Sequence, residues 1–133
     1  MIRWLRAESA AVFVAALLLY WQTGGPWWLL LLLILAPDLS ALGYLAGPGI
    51  GSRTYNLAHT YVGPVLLYAV AIAAGWPLAT QLALIWLAHI GIDRALAYGL
   101  KYPSGFKHTH LSPPAAAQPT TYNAAADGGT RRT

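Results

Sequence analysis

The chain of 133 residues lacks cysteine and has few charged side chains. Without cysteine it can form no disulfide framework, no thiolate metal site and no cysteine nucleophile. Charged residues make up 9% of the sequence, whereas soluble domains contain about 25%. The eight lysines and arginines are too few and too scattered to form a surface for nucleic acid. These deficits argue against a soluble domain and against a nucleic-acid partner.

Apolar residues, in contrast, are abundant and make up 57% of the sequence. A domain of this size buries the smallest fraction of its surface, so it cannot hide so many apolar side chains inside itself. The composition therefore predicts an integral membrane protein whose main partner is the lipid bilayer.

Four apolar segments are long enough to cross a bilayer, for which about 20 mainly apolar residues are needed. The predicted helices cover residues 4–21, 26–46, 52–74 and 77–99. Pro37 predicts a kink in the second helix, because proline removes a helical hydrogen bond. We therefore expect an all-α fold, a four-helix transmembrane bundle over residues 1–111 that includes a cytoplasmic segment, 100–111. Residues 112–133 are rich in Pro, Ala, Thr and Gly and predict a disordered tail.

The basic and aromatic residues predict the orientation of this bundle. Seven basic residues lie at the start of helix 1, at the turn between helices 2 and 3, and after helix 4: Arg3, Arg6, Arg53, Lys101, Lys107, Arg131 and Arg132. By the positive-inside rule, both termini are cytoplasmic. The tryptophans at the opposite turns, Trp21, Trp27, Trp28 and Trp76, form the aromatic belt expected at the other interface.

Ionisable residues recur at one depth in these helices, although each costs about 2.5–3.5 kcal/mol to insert. At 1.5 Å per residue, five of them fall within roughly 5–15 Å of the cytoplasmic face: Glu8, Asp38, His59, His89 and Asp93. The four-residue spacing of His89 and Asp93 puts both on one helical face. Because every helix contributes, the pattern indicates a shared intramembrane site.

Two imidazoles with two or three carboxylates suit Zn²⁺, Mn²⁺ or Fe²⁺. The predicted metal ligands are Asp38, His59, His89 and Asp93. Glu8 is assigned as a further ligand or general base, and Arg94 or Lys101 as the cation that faces an anionic substrate group. The segment after helix 4 suggests a cytoplasmic flap that brings His110 to the site. Protonation of one or more carboxylates would also reduce the charge.

Asn56 lies three residues before His59 and therefore shares its helical face. It is assigned a supporting role next to the ligands.

Three functions fit this site. The leading hypothesis is a metal-dependent hydrolase that acts on a lipid-like substrate through a metal-activated water. A proton- or ion-coupled transporter is the alternative. It would need a homodimer, for which Ala7, Ala11 and Ala15 offer a close-packing face. The third is a non-catalytic scaffold in which the polar cluster fixes the register of the helices.

Several short motifs carry a family resemblance over about residues 4–111. They lie at residues 36–40, 42–47, 55–59, 86–94, 98–103 and 109–111. In these motifs the chain resembles a bacterial family catalogued as domain of unknown function 4260. The resemblance implies a small multi-helix protein of the bacterial inner membrane and no particular activity. The extended tail after Leu111 departs from the short ending of that family. The Asp and His pattern is also loosely similar to that of inner-membrane metal-dependent hydrolases.

Overall fold

The structure is a computed structural model that describes residues 1–103 and 105–111. Its elements in chain order are α1 (Ile2–Gln22), α2 (Trp27–Leu33), a 3₁₀ helix (Ala36–Ala46), α3 (Pro48–Ala58), α4 (Val62–Ala74), α5 (Pro77–Ala95), β1 (Lys101–Tyr102) and β2 (Gly105–Thr109). The two strands form an antiparallel hairpin in which Lys101 is paired with Thr109. Apart from this hairpin, the regular structure of the described chain is helical, as the sequence predicts. The predicted disordered tail lies outside the described residues.

The predicted second helix, 26–46, changes its form near Pro37. The α-helical part ends at Leu33, and a 3₁₀ helix follows from Ala36. Pro37 has no N–H to donate, and the Asp38 N–H donates to the carbonyl of Leu35 at 3.1 Å, three residues back. In a regular helix the carbonyl of Ile34 would accept from the N–H three or four residues later. Here Pro37 has no N–H and the Asp38 N–H donates elsewhere, so the carbonyl accepts neither bond. The proline thus changes the type of helix, and the segment is not one α-helix with a simple kink.

The predicted third helix, 52–74, is two helices in the structure. α3 begins earlier, at Pro48, and ends at Ala58, and α4 begins at Val62. Pro64 explains the interruption. Its ring clashes with the carbonyl of Thr60, four residues back, and its nitrogen has no N–H to donate to that carbonyl. The break leaves His59 just outside regular helix.

The fourth predicted helix also ends earlier than residue 99. α5 stops at Ala95, and Ala97 has a positive φ of 72°, which turns the chain toward the hairpin. A non-glycine residue in this region of backbone space is uncommon and typically marks a turn.

α5 is the central helix and packs mainly against α1 and α4. Its middle is buried, with Ala83, Leu84, Ile85, Ala88, His89 and Ile90 each exposed by no more than 2%. Gly91 allows α1 to approach closely, because a Cβ at this position would lie 2.8 Å from the backbone nitrogen of Phe13. The buried face of α5 therefore fixes where its polar residues can point.

The outside of the helices is strongly apolar. Leucines along α2 and the 3₁₀ helix are 64–88% exposed: Leu31, Leu32, Leu35, Leu39, Leu42 and Leu45. Two helical stretches are long and apolar enough to cross a membrane, Trp27–Ala46 with a mean hydropathy of 2.0 and Pro48–Ala74 with 1.6. Neither stretch is mainly buried inside the protein. This surface is suited to a lipid environment.

Candidate metal centre

The structure brings the four predicted metal ligands into one cluster. Asp38 comes from the 3₁₀ helix, His59 from the break after α3, and His89 and Asp93 from α5. One ligand atom from each residue lies within 4.8 Å of the others. The histidines are buried and Asp93 is largely so, whereas the side chain of Asp38 is 48% exposed. The cluster is therefore open on the side of Asp38.

The distances within the cluster are those of a small coordination shell. His59 Nε2 lies 3.4 Å from Asp38 Oδ1 and 3.5 Å from Asp93 Oδ2, and His89 Nε2 lies 3.5 and 3.4 Å from the same atoms. The two Nε2 atoms are 3.1 Å apart. Nitrogen and oxygen ligands about 2.0–2.1 Å from a tetrahedral zinc ion would be about 3.3–3.4 Å apart. These four side chains can therefore hold one metal ion after small adjustments.

The lone pair of His59 Nε2 is directed into the cluster by a hydrogen bond on the far side of the ring. Nδ1 lies 2.8 Å from the carbonyl oxygen of Tyr55, so Nδ1 carries the proton and donates it. The backbone of Ile34, whose carbonyl is left without helical donors before Pro37, lies close to the His89 imidazole. A backbone acceptor on the far side of the ring, as Tyr55 provides for His59, is typical of histidines that bind metal ions.

The charges of the cluster limit its protonation states. With neutral imidazoles the two carboxylates bring a charge of about −2, which a divalent cation would balance. Protonated imidazoles would instead form four His–Asp ion pairs. With Nε2 atoms only 3.1 Å apart, however, two Nε2 protons would point at each other. At most one proton can lie between the two rings.

A stack of side chains covers one face of His59. The ring of Tyr55 lies parallel to the imidazole with a centroid distance of 3.7 Å and an interplanar angle of 9°. Lys101 Nζ is 5.0 Å from the centroid of the Tyr55 ring. Burial lowers the pKa of Lys101, against the opposing effects of Asp93 and Asp38. The charges of both carboxylates therefore act on the ammonium group of Lys101.

Asn56 fastens the hairpin to α3. Its Nδ2 donates to the Lys101 carbonyl at 2.8 Å, and its Oδ1 accepts from the Lys101 N–H at 2.6 Å. This pair of hydrogen bonds fixes the position of Lys101 next to the ring stack. Asn56 therefore contacts the backbone of the segment that was predicted to act as a flap.

Glu8, Arg94 and His110 lie in a different place from the four ligands. All three line a cavity of about 180 Å³ together with Tyr61. Arg94 Nη2 donates to the carbonyl of His59 at 3.1 Å, and its guanidinium carbon lies 4.4 Å from the centroid of Tyr61. Arg94 thus contacts the backbone carbonyl of His59, and Glu8 and His110 are not among the four clustered residues.

A second, apolar cavity of about 350 Å³ is lined in part by the residues that directly precede Asp38 and His59. It is lined by Leu33, Ala36, Pro37, Ala58, Leu82, Ile85 and Trp86. Pro37 and Ala58 directly precede two of the ligands in sequence, and Trp86 Nε1 donates to the carbonyl of Ala58 at 2.6 Å. An apolar group can therefore lie beside the polar cluster.

The sequence reasoning missed the supporting aromatic residues. Tyr55 precedes His59 by four residues, and Trp86 precedes His89 by three. Both spacings put the aromatic ring on the same helical face as the ligand. This spacing was the available signal.

A family model described as "Domain of unknown function (DUF4260)" matches residues 2–113. The chain belongs to this family, as its motifs indicate. No curated protein and no solved structure matches the chain. The family description names no activity, so the chemistry of the cluster is the guide to function.

Proposed function

We propose that this member of the family is an integral membrane protein that binds one divalent metal ion at Asp38, His59, His89 and Asp93 and hydrolyses an amphiphilic substrate. The observation that carries the proposal is the convergence of two Nε2 atoms and two carboxylate oxygens. The four nitrogen–oxygen distances of 3.4–3.5 Å are close to the edge of a tetrahedral zinc shell. Mixed imidazole and carboxylate ligands also suit Mn²⁺ and Fe²⁺.

The residues around the cluster have distinct tasks in this proposal. The carbonyl of Tyr55 keeps the imidazole of His59 oriented. A bound ion would supply Lewis acidity and an activated water. The half-exposed Asp38 marks the side from which substrate approaches. Lys101 supplies the positive charge that favours an anionic group of the substrate.

The amphiphilic nature of the substrate follows from the surroundings of the cluster. The cavity of about 350 Å³ beside it has an apolar lining suited to a hydrocarbon chain. Leu33, Ala36 and Pro37 in its lining belong to the stretch Trp27–Ala46, whose exposed leucines suit a lipid environment. In the full proposal four helical spans cross the bacterial inner membrane, both termini are cytoplasmic, and the cluster opens toward the inner leaflet.

Metal content of the purified protein tests the site. We expect one equivalent of zinc, manganese or iron in detergent-purified wild type, measured by plasma mass spectrometry, and its loss in His89→Ala and Asp38→Asn. Glu8→Gln is the matched control, because it neutralises a carboxylate outside the cluster. Circular dichroism establishes that each variant keeps its helices. Folded wild type that binds no metal after incubation with each ion would refute the proposal.

A proton relay is the second candidate, favoured by the 3.1 Å contact between His59 Nε2 and His89 Nε2. One proton shared between these atoms would serve a proton-coupled transporter. Such a protein would need a second copy to enclose a pathway, and the exposed stripe of Ala7, Ala11 and Ala15 on α1 could pack against it. Metal-free protein that moves protons in liposomes, and stops in folded Asp38→Asn, would favour this function over hydrolysis.

A further inference from the structure

The cavity of about 180 Å³ contains one carboxylate and one guanidinium that are not paired with each other. Glu8 on α1 and Arg94 near the end of α5 both line it. The ion pairs of the four-residue cluster include neither Glu8 nor Arg94. Glu8 is exposed, and its carboxylate has no hydrogen bond among the side chains that the structure describes. Two opposite charges therefore face one small space without neutralising each other in direct contact.

The contacts that hold the Arg94 side chain in place use only some of the N–H donors of its guanidinium. One nitrogen, Nη2, donates to the carbonyl of His59, and the guanidinium lies against the ring of Tyr61. A guanidinium has five N–H donors in a planar fork. The remaining donors are available to a ligand, and this geometry suits the oxygens of a phosphate.

His110 adds a further donor on the same cavity. Its Nδ1 accepts the Leu100 N–H at 2.8 Å, so the proton of the neutral ring is on Nε2. Burial and the nearby charge of Arg94 lower the pKa of His110. The imidazole therefore stays neutral near pH 7 and donates through Nε2.

The net charge of the lining indicates the charge of the ligand. One carboxylate and one guanidinium sum to zero, so a ligand that satisfies both carries an anionic and a cationic group. A cavity of about 180 Å³ has the volume of about six water molecules, enough for a headgroup and too little for an acyl chain. Leu5 and Leu111 form apolar parts of the wall.

We propose that the cavity between Glu8 and Arg94 binds a phosphoethanolamine group, with the phosphate on Arg94 and His110 and the primary ammonium on Glu8. The group can belong to a phospholipid or to a free soluble molecule. This proposal does not depend on metal binding at the four-residue cluster.

Binding of short-chain lipids in detergent tests the proposal. Dihexanoyl phosphatidylethanolamine, phosphatidylcholine and phosphatidylglycerol are titrated calorimetrically into wild type and Glu8→Gln. Choline is cationic but has no N–H to donate, and a glycerol hydroxyl can donate but is uncharged, so neither can make the hydrogen-bonded ion pair with Glu8 that a primary ammonium makes. A charge-assisted hydrogen bond corresponds to about a tenfold or greater preference for the ethanolamine lipid. We expect Glu8→Gln to lose this preference while its melting temperature stays close to that of wild type.

Further arms separate the alternatives. Arg53→Gln removes a positive charge at an exposed position outside the cavity lining and should keep the preference. Soluble O-phosphoethanolamine that binds as tightly as the lipid identifies a free ligand, and much weaker binding identifies the lipid. Wild type treated with a chelator should bind as before. Equal affinity for the three headgroups, or a preference that persists in Glu8→Gln, would overturn the proposal.

Discussion

Asp38→Asn should have opposite effects on the protein without metal and with metal. The ligand oxygens of Asp38 and Asp93 lie within 4.8 Å of each other. Two carboxylates at that distance repel by about 1 kcal/mol in water and about 3.5 kcal/mol at an effective dielectric constant of 20. Because Asp38 is 48% exposed, the lower figure is the better guide. Removing its charge at pH 8, where imidazoles are ordinarily neutral, should raise the free energy of unfolding of metal-free protein by up to about 1 kcal/mol.

Zinc should reverse the order of stability. At a zinc concentration of 100 times the dissociation constant, binding stabilises wild type by about 2.7 kcal/mol. Asp38→Asn lacks one ligand and should show little of this gain. Unfolding in mixed micelles, followed by tryptophan fluorescence with chelator or with zinc, measures both differences. Glu8→Gln should behave as wild type in its response to zinc.

Two results would refute this reasoning. An Asp38→Asn variant that keeps the whole zinc-dependent gain would show that Asp38 is not a ligand. A loss of about 3–5 kcal/mol in the metal-free variant is the size expected when one partner leaves a buried ion pair. That loss would mean that one of the imidazoles is protonated and that the cluster is an ion-pair network.

Three other side chains give separate expectations. Tyr61→Phe should not lower the melting temperature, because the buried hydroxyl has no hydrogen-bond partner in the described part of the chain. Tyr20→Phe loses a 2.7 Å hydrogen bond to the Pro26 carbonyl and should lower the free energy of unfolding by about 1 kcal/mol in the same thermal assay. Asn56→Ala should increase trypsin cleavage after Lys101 without removing bound metal, since it breaks both hydrogen bonds to that residue. The hydrogen bond from the Leu100 N–H to His110 should be fully stable above about pH 6.5 and be lost as the pH falls toward the lowered pKa of His110. Hydrogen exchange at the Leu100 amide measures this loss. An exchange rate that does not change with acidification, after correction for its intrinsic rate, would contradict the expectation.

The four clustered residues could be predicted from the sequence because ionisable residues are conspicuous in apolar segments. Counting along the helices gives the depth of Asp38, His59, His89 and Asp93, and the structure brings all four together. Depth alone does not give the direction around the helix axis. Glu8 has a similar predicted depth and yet lines the other cavity.

The interruptions of the helices were harder to predict. A segment that is apolar on all sides shows no alternation of polar and apolar positions, so a break in the helix leaves no visible change in the pattern. Pro64 was visible in the sequence, but its steric effect falls four residues earlier, at Thr60. The hairpin was missed as well, because strands of two and five residues are too short to give a clear alternating pattern.

The helix breaks and the ligand cluster have a common physical cause. A broken helix leaves carbonyls without donors, and in an apolar environment each needs a partner. α5 provides two of these partners: Trp86 donates to Ala58, and Arg94 donates to His59. Between them on the same helix, His89 lies close to the backbone of Ile34, and its Nε2 faces His59 and the two carboxylates. The residues that satisfy the broken backbone therefore flank the cluster, which lies where two helices are interrupted against a third.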